Sequence, residues 1–117
     1  MTDKIKRGSE GETLAADFLI RNGYTILERN YRYKKSEIDL IACRDRWLVF
    51  VEVKLRTSTA YGFPEEFVDY HKKKMIFHGA LHYMVEKDWQ GNVRYDIVAI
   101  HLLNGKPQIH HLEDAFY

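Results

Sequence analysis

The sequence predicts an α/β fold in which one mixed sheet is packed between helices. Two stretches carry apolar residues at helical spacing. Three β-prone segments lie between these stretches, and more β-prone sequence follows the second. The second helical stretch is long enough to serve as the crossover that a parallel strand pair requires. The expected order is αβββαββ.

The first helix is expected from about Ser9 to Asn22, where Leu14, Ala15, Phe18 and Leu19 share one side and Gly23 is a natural stop. "TILERNYRY" is β-prone and predicts a strand over Thr25–Tyr33. Two further strands follow, about Glu37–Cys43 and Trp47–Arg56. Only "RDR" separates their apolar parts, so a tight antiparallel hairpin is the natural connection. "TSTAYGFPEE" has turn chemistry. From about Glu65 to Lys87, Val68, Ile76, Ala80, Tyr83 and Met84 recur as on a helix, with a break expected near Asp69–His71. "NVRYDIVAIHLL" reads as a strand, "NGK" as a turn, and "PQIHHLE" as a short last strand.

At 117 residues the chain has room for one domain with a modest core. Hydrophobic residues make up 45% and charged residues 30%, which argues against a disordered or membrane protein. The longest apolar run, Trp47 to Val51, is far short of a membrane span. "MTDKIKRGSEGE" lacks the apolar segment of a signal peptide, and Cys43 is the sole cysteine. A cytoplasmic location is the expectation. The formal net charge is +1, so any basic footprint for nucleic acid must be local.

The hairpin "EIDLIACRDRWLVFVEVKLR" threads charges through apolar strands. Alternation puts Glu52, Lys54 and Arg56 on one face, with Val49, Val51, Val53 and Leu55 on the other. In the preceding strand Glu37 and Asp39 share a face with Ile41, and Ile38, Leu40 and Ala42 take the opposite one. A register that opposes Asp39 to Glu52 closes on an Arg44–Trp47 pair around a two-residue Asp45–Arg46 turn. A slip of one residue sends the carboxylates to opposite faces. Two carboxylates that meet repel unless a proton or a cation joins them. Hard oxygen ligands suit Mg²⁺ or Mn²⁺, which polarises a phosphodiester and acidifies a bound water. Lys54 would point to the same place and stabilise charge on a phosphate. The plain alternative is a set of salt bridges on a wetted sheet face.

The segments "GSEGETLAADFL", "ILERNYR", "SEIDLIA", "VFVEVKLR", "GFPEE", Lys72, "RYDIVAI" and the closing "AF" run in the order of the YraN-type family of bacterial proteins, which the chain resembles over nearly its whole length. The resemblance implies the restriction-endonuclease-like fold, with distant similarity to archaeal Holliday-junction resolvases. The nuclease signature it implies is an Asp on one strand and Glu-x-Lys on the next, matched by Asp39, Glu52 and Lys54. It also implies a first-helix glutamate that completes a metal site of Glu12, Asp39 and Glu52. Lys72 matches a family lysine with reach to the DNA backbone. One departure is visible: the family usually has Gly before Glu-Ile-Asp, and this chain has Ser36.

Several residues carry a plainer reading beside the functional one. Glu12 reads also as a first-turn carboxylate facing the positive end of a helix dipole. Arg32 and Arg56 suit phosphate oxygens, and equally suit pairing with Glu28 or Asp39. His78 and His82 are four apart but lack the glutamate of a zinc helix, so they read as surface residues. Arg94 and Asp96 read as a structural ion pair, and Tyr31, Tyr33 and Trp47 as packing residues rather than base platforms.

The functions compatible with the sequence are ranked in three steps. First is a Mg²⁺- or Mn²⁺-dependent endonuclease acting on DNA, on branched or damaged structures if the resemblance holds. Next is a nucleic-acid-binding protein that cleaves nothing alone, and last a protein-interaction scaffold. A C2 homodimer would set two sites on two strands of a junction.

Overall fold

The computed structural model describes residues 2–56 and 69–116, with side chains from residue 10 onward. The expected loop at 57–66 and the expected helical start at 65–68 lie outside the described residues. The elements are α1 (Thr2–Arg21), β1 (Thr25–Tyr33), β2 (Ser36–Arg44), β3 (Trp47–Arg56), α2 (Tyr70–Glu86), β4 (Asn92–Leu103) and β5 (Lys106–Leu112). This is the αβββαββ order read from the sequence. The strands form one five-stranded sheet in the order β1-β2-β3-β4-β5. β3 and β4 are parallel, and the other neighbours are antiparallel.

The sheet is covered on both faces, as a parallel centre requires. Ala15, Ala16 and Leu19 of α1 pack on Leu40, Ala42, Val49, Val51, Val98 and Ile100. Ile76, Ala80 and Tyr83 of α2 pack on Ile38, Ile41, Leu48, Phe50, Ile97 and Ala99. Among the described residues, no helix is long and apolar enough to cross a membrane.

Two helix starts differ from expectation. α1 runs back to Thr2 instead of beginning near Ser9. Glycine in a helix interior costs only about 1 kcal/mol relative to alanine, so "GSEGE" does not have to be a turn. Gly11 is buried against β3, where a Cβ would lie 3.4 Å from the Leu55 Cβ. It therefore permits close approach and marks no turn. α2 begins at Tyr70, and Asp69 is its N-cap rather than an internal break. The Asp69 carboxylate accepts from the Lys72 N–H at 2.8 Å, satisfying one of the donors left open at a helix start.

The β2–β3 hairpin has the register that the sequence favoured. Pairs run from Arg44–Trp47 to Leu40–Val51, around an Asp45–Arg46 turn with Asp45 in the left-handed region (φ 56°). One face assignment is corrected. Ile38 packs with Ile41 on the α2 side, while Leu40 and Ala42 face α1. Alternation is therefore reset at Asp39. The β1–β2 pairs Arg29–Leu40 and Tyr31–Ile38 flank that rung, which the ladder skips. The residue facing it on β1, Asn30, is also left-handed (φ 52°). The local twist turns both strands over at one point.

Beneath α1 sits the expected Arg94–Asp96 pair, within a larger network. Asp96 is fully buried. It accepts from Arg94 Nε and Nη2 (both 2.8 Å) and from the Asp114 N–H (2.9 Å), and lies 2.6 Å from His111 Nε2. Burial pushes the Asp96 carboxyl up, but the bonds from His111, Arg94 and Asp114 outweigh it and hold the group below the usual range.

Candidate active site

The hairpin ladder ends where the charges begin. Past Leu40–Val51 the Val53 N–H is taken by Asp39 Oδ2 at 2.8 Å, a side chain serving where a strand carbonyl would. Glu52, on the α2 face of β3, is the hydrogen-bonded neighbour of that same carboxyl. Its residue surface is only 5% exposed. Asp39 and Glu52 therefore converge.

Two such groups in a poorly hydrated place cannot both stay ionised without help. Burial, then the hydrogen bond and repulsion from Glu52, push Asp39 up to about 8. The Val53 N–H and the Lys72 ammonium pull in the other direction without prevailing. Asp39 is therefore an acid whose ionised form is disfavoured where it stands.

Cations stand close by. Lys72 Nζ, from the first turn of α2, lies 3.0 Å from Glu52 Oε2. Burial works against its charge, but attraction to Glu52 wins and holds it above the usual range. Lys54 is half-buried, and burial followed by the like charge of Lys72 lowers its pKa. The carboxylates around it act in the opposite sense and are outweighed.

A cleft of about 260 Å³ opens at this point, lined by Gly11, Glu12, Asp39, Glu52, Val53, Leu55 and Lys72. Glu12 thus reaches the same cleft as the hairpin carboxylates. The helix-dipole explanation of Glu12 is overturned, because α1 starts at Thr2 and Glu12 lies well inside it. Its Oε2 accepts from Asn30 Nδ2 at 2.8 Å. The three acids line one cleft but do not close into a cage: among the described residues, no three His, Cys, Asp or Glu groups stand ready to hold an ion.

The donor set nevertheless fits a hard divalent cation. Mg²⁺ needs only one or two carboxylates and keeps waters in its remaining positions. Asp39 and Glu52 supply two, and both line the same cleft. Glu12 lines the same cleft, with its Oε2 taken by Asn30.

The remaining expected residues separate. Arg32 pairs with Glu37 at 3.5 Å in an exposed cross-strand contact, instead of with Glu28 or Asp39. Arg56 ends β3 on the surface, close enough to Lys54 to act on its charge. His82 stacks on Tyr33 with ring centroids 3.6 Å apart and lies beside Glu86, and His78 leans on the same tyrosine. Tyr31 packs edge-on against Tyr83, as expected of a packing residue.

Two features were missed. Asn30 holds Glu12, and the visible sign was a polar, turn-tolerant residue inside a β-prone run. Lys72 touches a site carboxylate, a contact between sequence-distant elements with no local signature. The departure at Ser36 is also explained. Its Oγ donates to the Met75 carbonyl at 2.6 Å, and a Cβ on Gly79 would meet the Ser36 Cβ at 2.9 Å. The pair brings α2 close to β2 and so brings Lys72 to Glu52.

Comparison with known proteins agrees with the motif reading. The family described as "Uncharacterised protein family UPF0102" matches residues 11–100. A UPF0102 protein of Flavobacterium psychrophilum is 40% identical over 117 residues, covering 100% of this chain and 98% of the relative. One from Cytophaga hutchinsonii is 46% identical over 98 residues, covering 84% and 87%. Another, from Persephonella marina, is 42% identical over 111 residues, covering 94% and 92%.

Proposed function

The chain belongs to the uncharacterised protein family UPF0102, and from its hairpin site we propose that it is a metal-dependent endonuclease that hydrolyses phosphodiester bonds in DNA. The observation that carries this reading is the convergence of Asp39 and Glu52 in one cleft, with Lys72 3.0 Å from Glu52 and Lys54 close enough for both carboxylates to act on its charge. Two acids forced together at the end of a sheet, with a lysine next to them, are costly as a purely structural device. They are apt for holding a cation against a phosphate.

In this reading Asp39 and Glu52 hold Mg²⁺ or Mn²⁺, and Glu12 orients a water across the cleft. The metal supplies Lewis acidity and an acidified water. The Asp39 carboxylate is held in place by the Val53 N–H, and Glu52 by burial, so neither must reorganise. Lys54 stands two residues from Glu52 on the same face and stabilises charge developing on the phosphate. Lys72 and Arg56 meet the flanking backbone, with Arg32 farther out. Branched or damaged DNA is the substrate class the motif resemblance suggests.

The test is incubation with junction, flap and single-stranded DNA in Mg²⁺ or Mn²⁺. Cleavage is expected in the wild type and absent in Glu52→Ala and Asp39→Ala. Cleavage at full rate in Glu52→Ala overturns the assigned site. A second reading, a nucleic-acid-binding protein without cleavage, draws on Lys72 already neutralising Glu52. It requires DNA binding that persists in Asp39→Ala and needs no metal.

A further inference from the structure

We propose that Lys72 is an exchangeable counter-ion: its ammonium occupies the carboxylate site in the empty protein and is displaced when a divalent cation binds. This rests on the metal-site reading above and deepens it. Lys72 Nζ lies 3.0 Å from Glu52 Oε2, the distance of a direct ion pair. The two partners differ in freedom. The Glu52 side chain is 4% exposed and cannot follow a moving partner, whereas the Lys72 side chain is 45% exposed and has a long flexible stem. The Lys72 backbone is meanwhile fixed, because its N–H is capped by Asp69 at 2.8 Å. The base of the side chain is anchored and its tip is movable.

The cavities around it indicate where the tip goes. Lys72 lines the cleft of about 260 Å³ on the Glu12 side. A second, of about 370 Å³, lies on the other side of Asp39 and is lined by Lys35, Glu37, Asp39, Asp69, His71, Lys72, Met75 and Ile76. Asp39 and Lys72 are the lining residues common to both. Lys72 is therefore the movable part of the partition between them.

A divalent ion on Asp39 and Glu52 would repel the ammonium and leave it without its partner. Swung aside, Lys72 joins the two cavities into one groove running past the carboxylates. It also presents a positive charge to a phosphate next to the one at the metal. Lys35 and His71 border the same groove. Metal binding and phosphate binding are coupled through one side chain: the first releases the lysine that the second uses.

The experiment is a Mn²⁺ titration of the full chain, reading free ion by electron paramagnetic resonance, without DNA. Lys72→Gln should bind Mn²⁺ about three- to tenfold more tightly than the wild type, the range that loss of one competing, half-exposed ion pair supplies. Lys72→Arg, which keeps the charge, should stay within about twofold of the wild type. A further readout is the salt dependence of DNA binding with Ca²⁺ present and absent. Adding the ion should raise the slope by about one phosphate contact in the wild type and leave it unchanged in Lys72→Gln. Thermal melts check that both variants fold, and a half-exposed head makes misfolding no obstacle. Equal or weaker Mn²⁺ binding by Lys72→Gln overturns the counter-ion role. If Glu52→Gln still loses Mn²⁺ in that case, the metal site stands and only the role of Lys72 falls. Failure of every variant and the wild type to bind Mn²⁺ overturns both.

Discussion

Asp39 Oδ2 accepts the Val53 N–H at 2.8 Å, just beyond the last paired residues of the hairpin, Leu40 and Val51. The backbone ladder gives way to a side chain at the point where a carboxylate must be held still. That bond holds the Asp39 carboxyl beside Glu52. Replacing Asp39 with Asn keeps the acceptor and removes the charge. Asp39→Asn should therefore fold normally and lose at least tenfold in Mn²⁺ affinity, since one of two carboxylates is gone. Isothermal titration of Mn²⁺ into both proteins, with circular dichroism as the folding control, decides it.

The raised Asp39 pKa makes metal-free stability depend on pH in a definite direction. The folded value, about 8, lies above the ordinary 3.8, so between these limits the folded state holds a proton that the unfolded state has lost. Stability should fall as pH climbs through that window and level off above about 8. Urea unfolding at pH 5 and pH 8 in the presence of a chelator measures the drop. Asp39→Asn should flatten it, and saturating Mn²⁺ should reverse it.

Asp96 gives the opposite sign. Its folded pKa is depressed, so its contribution is present above the ordinary carboxylate range and is lost as pH falls through the folded value. Asp96→Asn leaves the mostly buried Arg94 guanidinium with only the longer, 3.7 Å ion pair to Glu113 and should cost up to about 3–5 kcal/mol, the range for breaking one side of a buried pair. Equilibrium urea denaturation at pH 7 is the measurement. DNA cleavage per folded molecule should be unchanged, because the network lies under α1, away from the cleft.

Gly79 and Ser36 set the distance between α2 and β2. A Cβ at position 79 would meet the Ser36 Cβ at 2.9 Å, and Ser36 is buried with no room to yield. Gly79→Ala should lower stability by about 1–3 kcal/mol, as overpacking does. Ser36→Gly in the same background should recover most of it. The double-mutant cycle, read as melting temperatures, tests the coupling.

Lys54 stands on β3 two residues from Glu52, and both Glu52 and Asp39 act on its charge. Lys54→Met should lower kcat by about 10²–10³, the range for losing one preorganised positive contact to a developing oxyanion. Single-turnover cleavage at saturating enzyme separates this from weaker binding.

The αβββαββ order was legible from sequence pattern, because β2 and β3 are short apolar runs separated by turn residues and α2 repeats its apolar positions at helical spacing. The hairpin was legible for a local reason, since only three residues separate the apolar runs, but a slip of one residue stayed open in the sequence and the structure settled the register with the Arg44–Trp47 to Leu40–Val51 pairs. Alternation failed at Ile38, because a left-handed Asn30 on the neighbouring strand reset the twist, and period-two reasoning assumes regular backbone.

By itself, then, the sequence determined the elements, the pairing of β2 with β3, and the family to which the chain belongs. These depend on local pattern and short-range turn geometry. Only the tertiary structure decided that α1 runs back past its glycines, that Asn30 holds Glu12, and that the first turn of α2 brings Lys72 to Glu52. Each of these joins residues far apart in the chain, through packing distances such as that of Gly79 on Ser36. No window of neighbouring residues encodes such a distance, because it is set only when both faces of the sheet are covered.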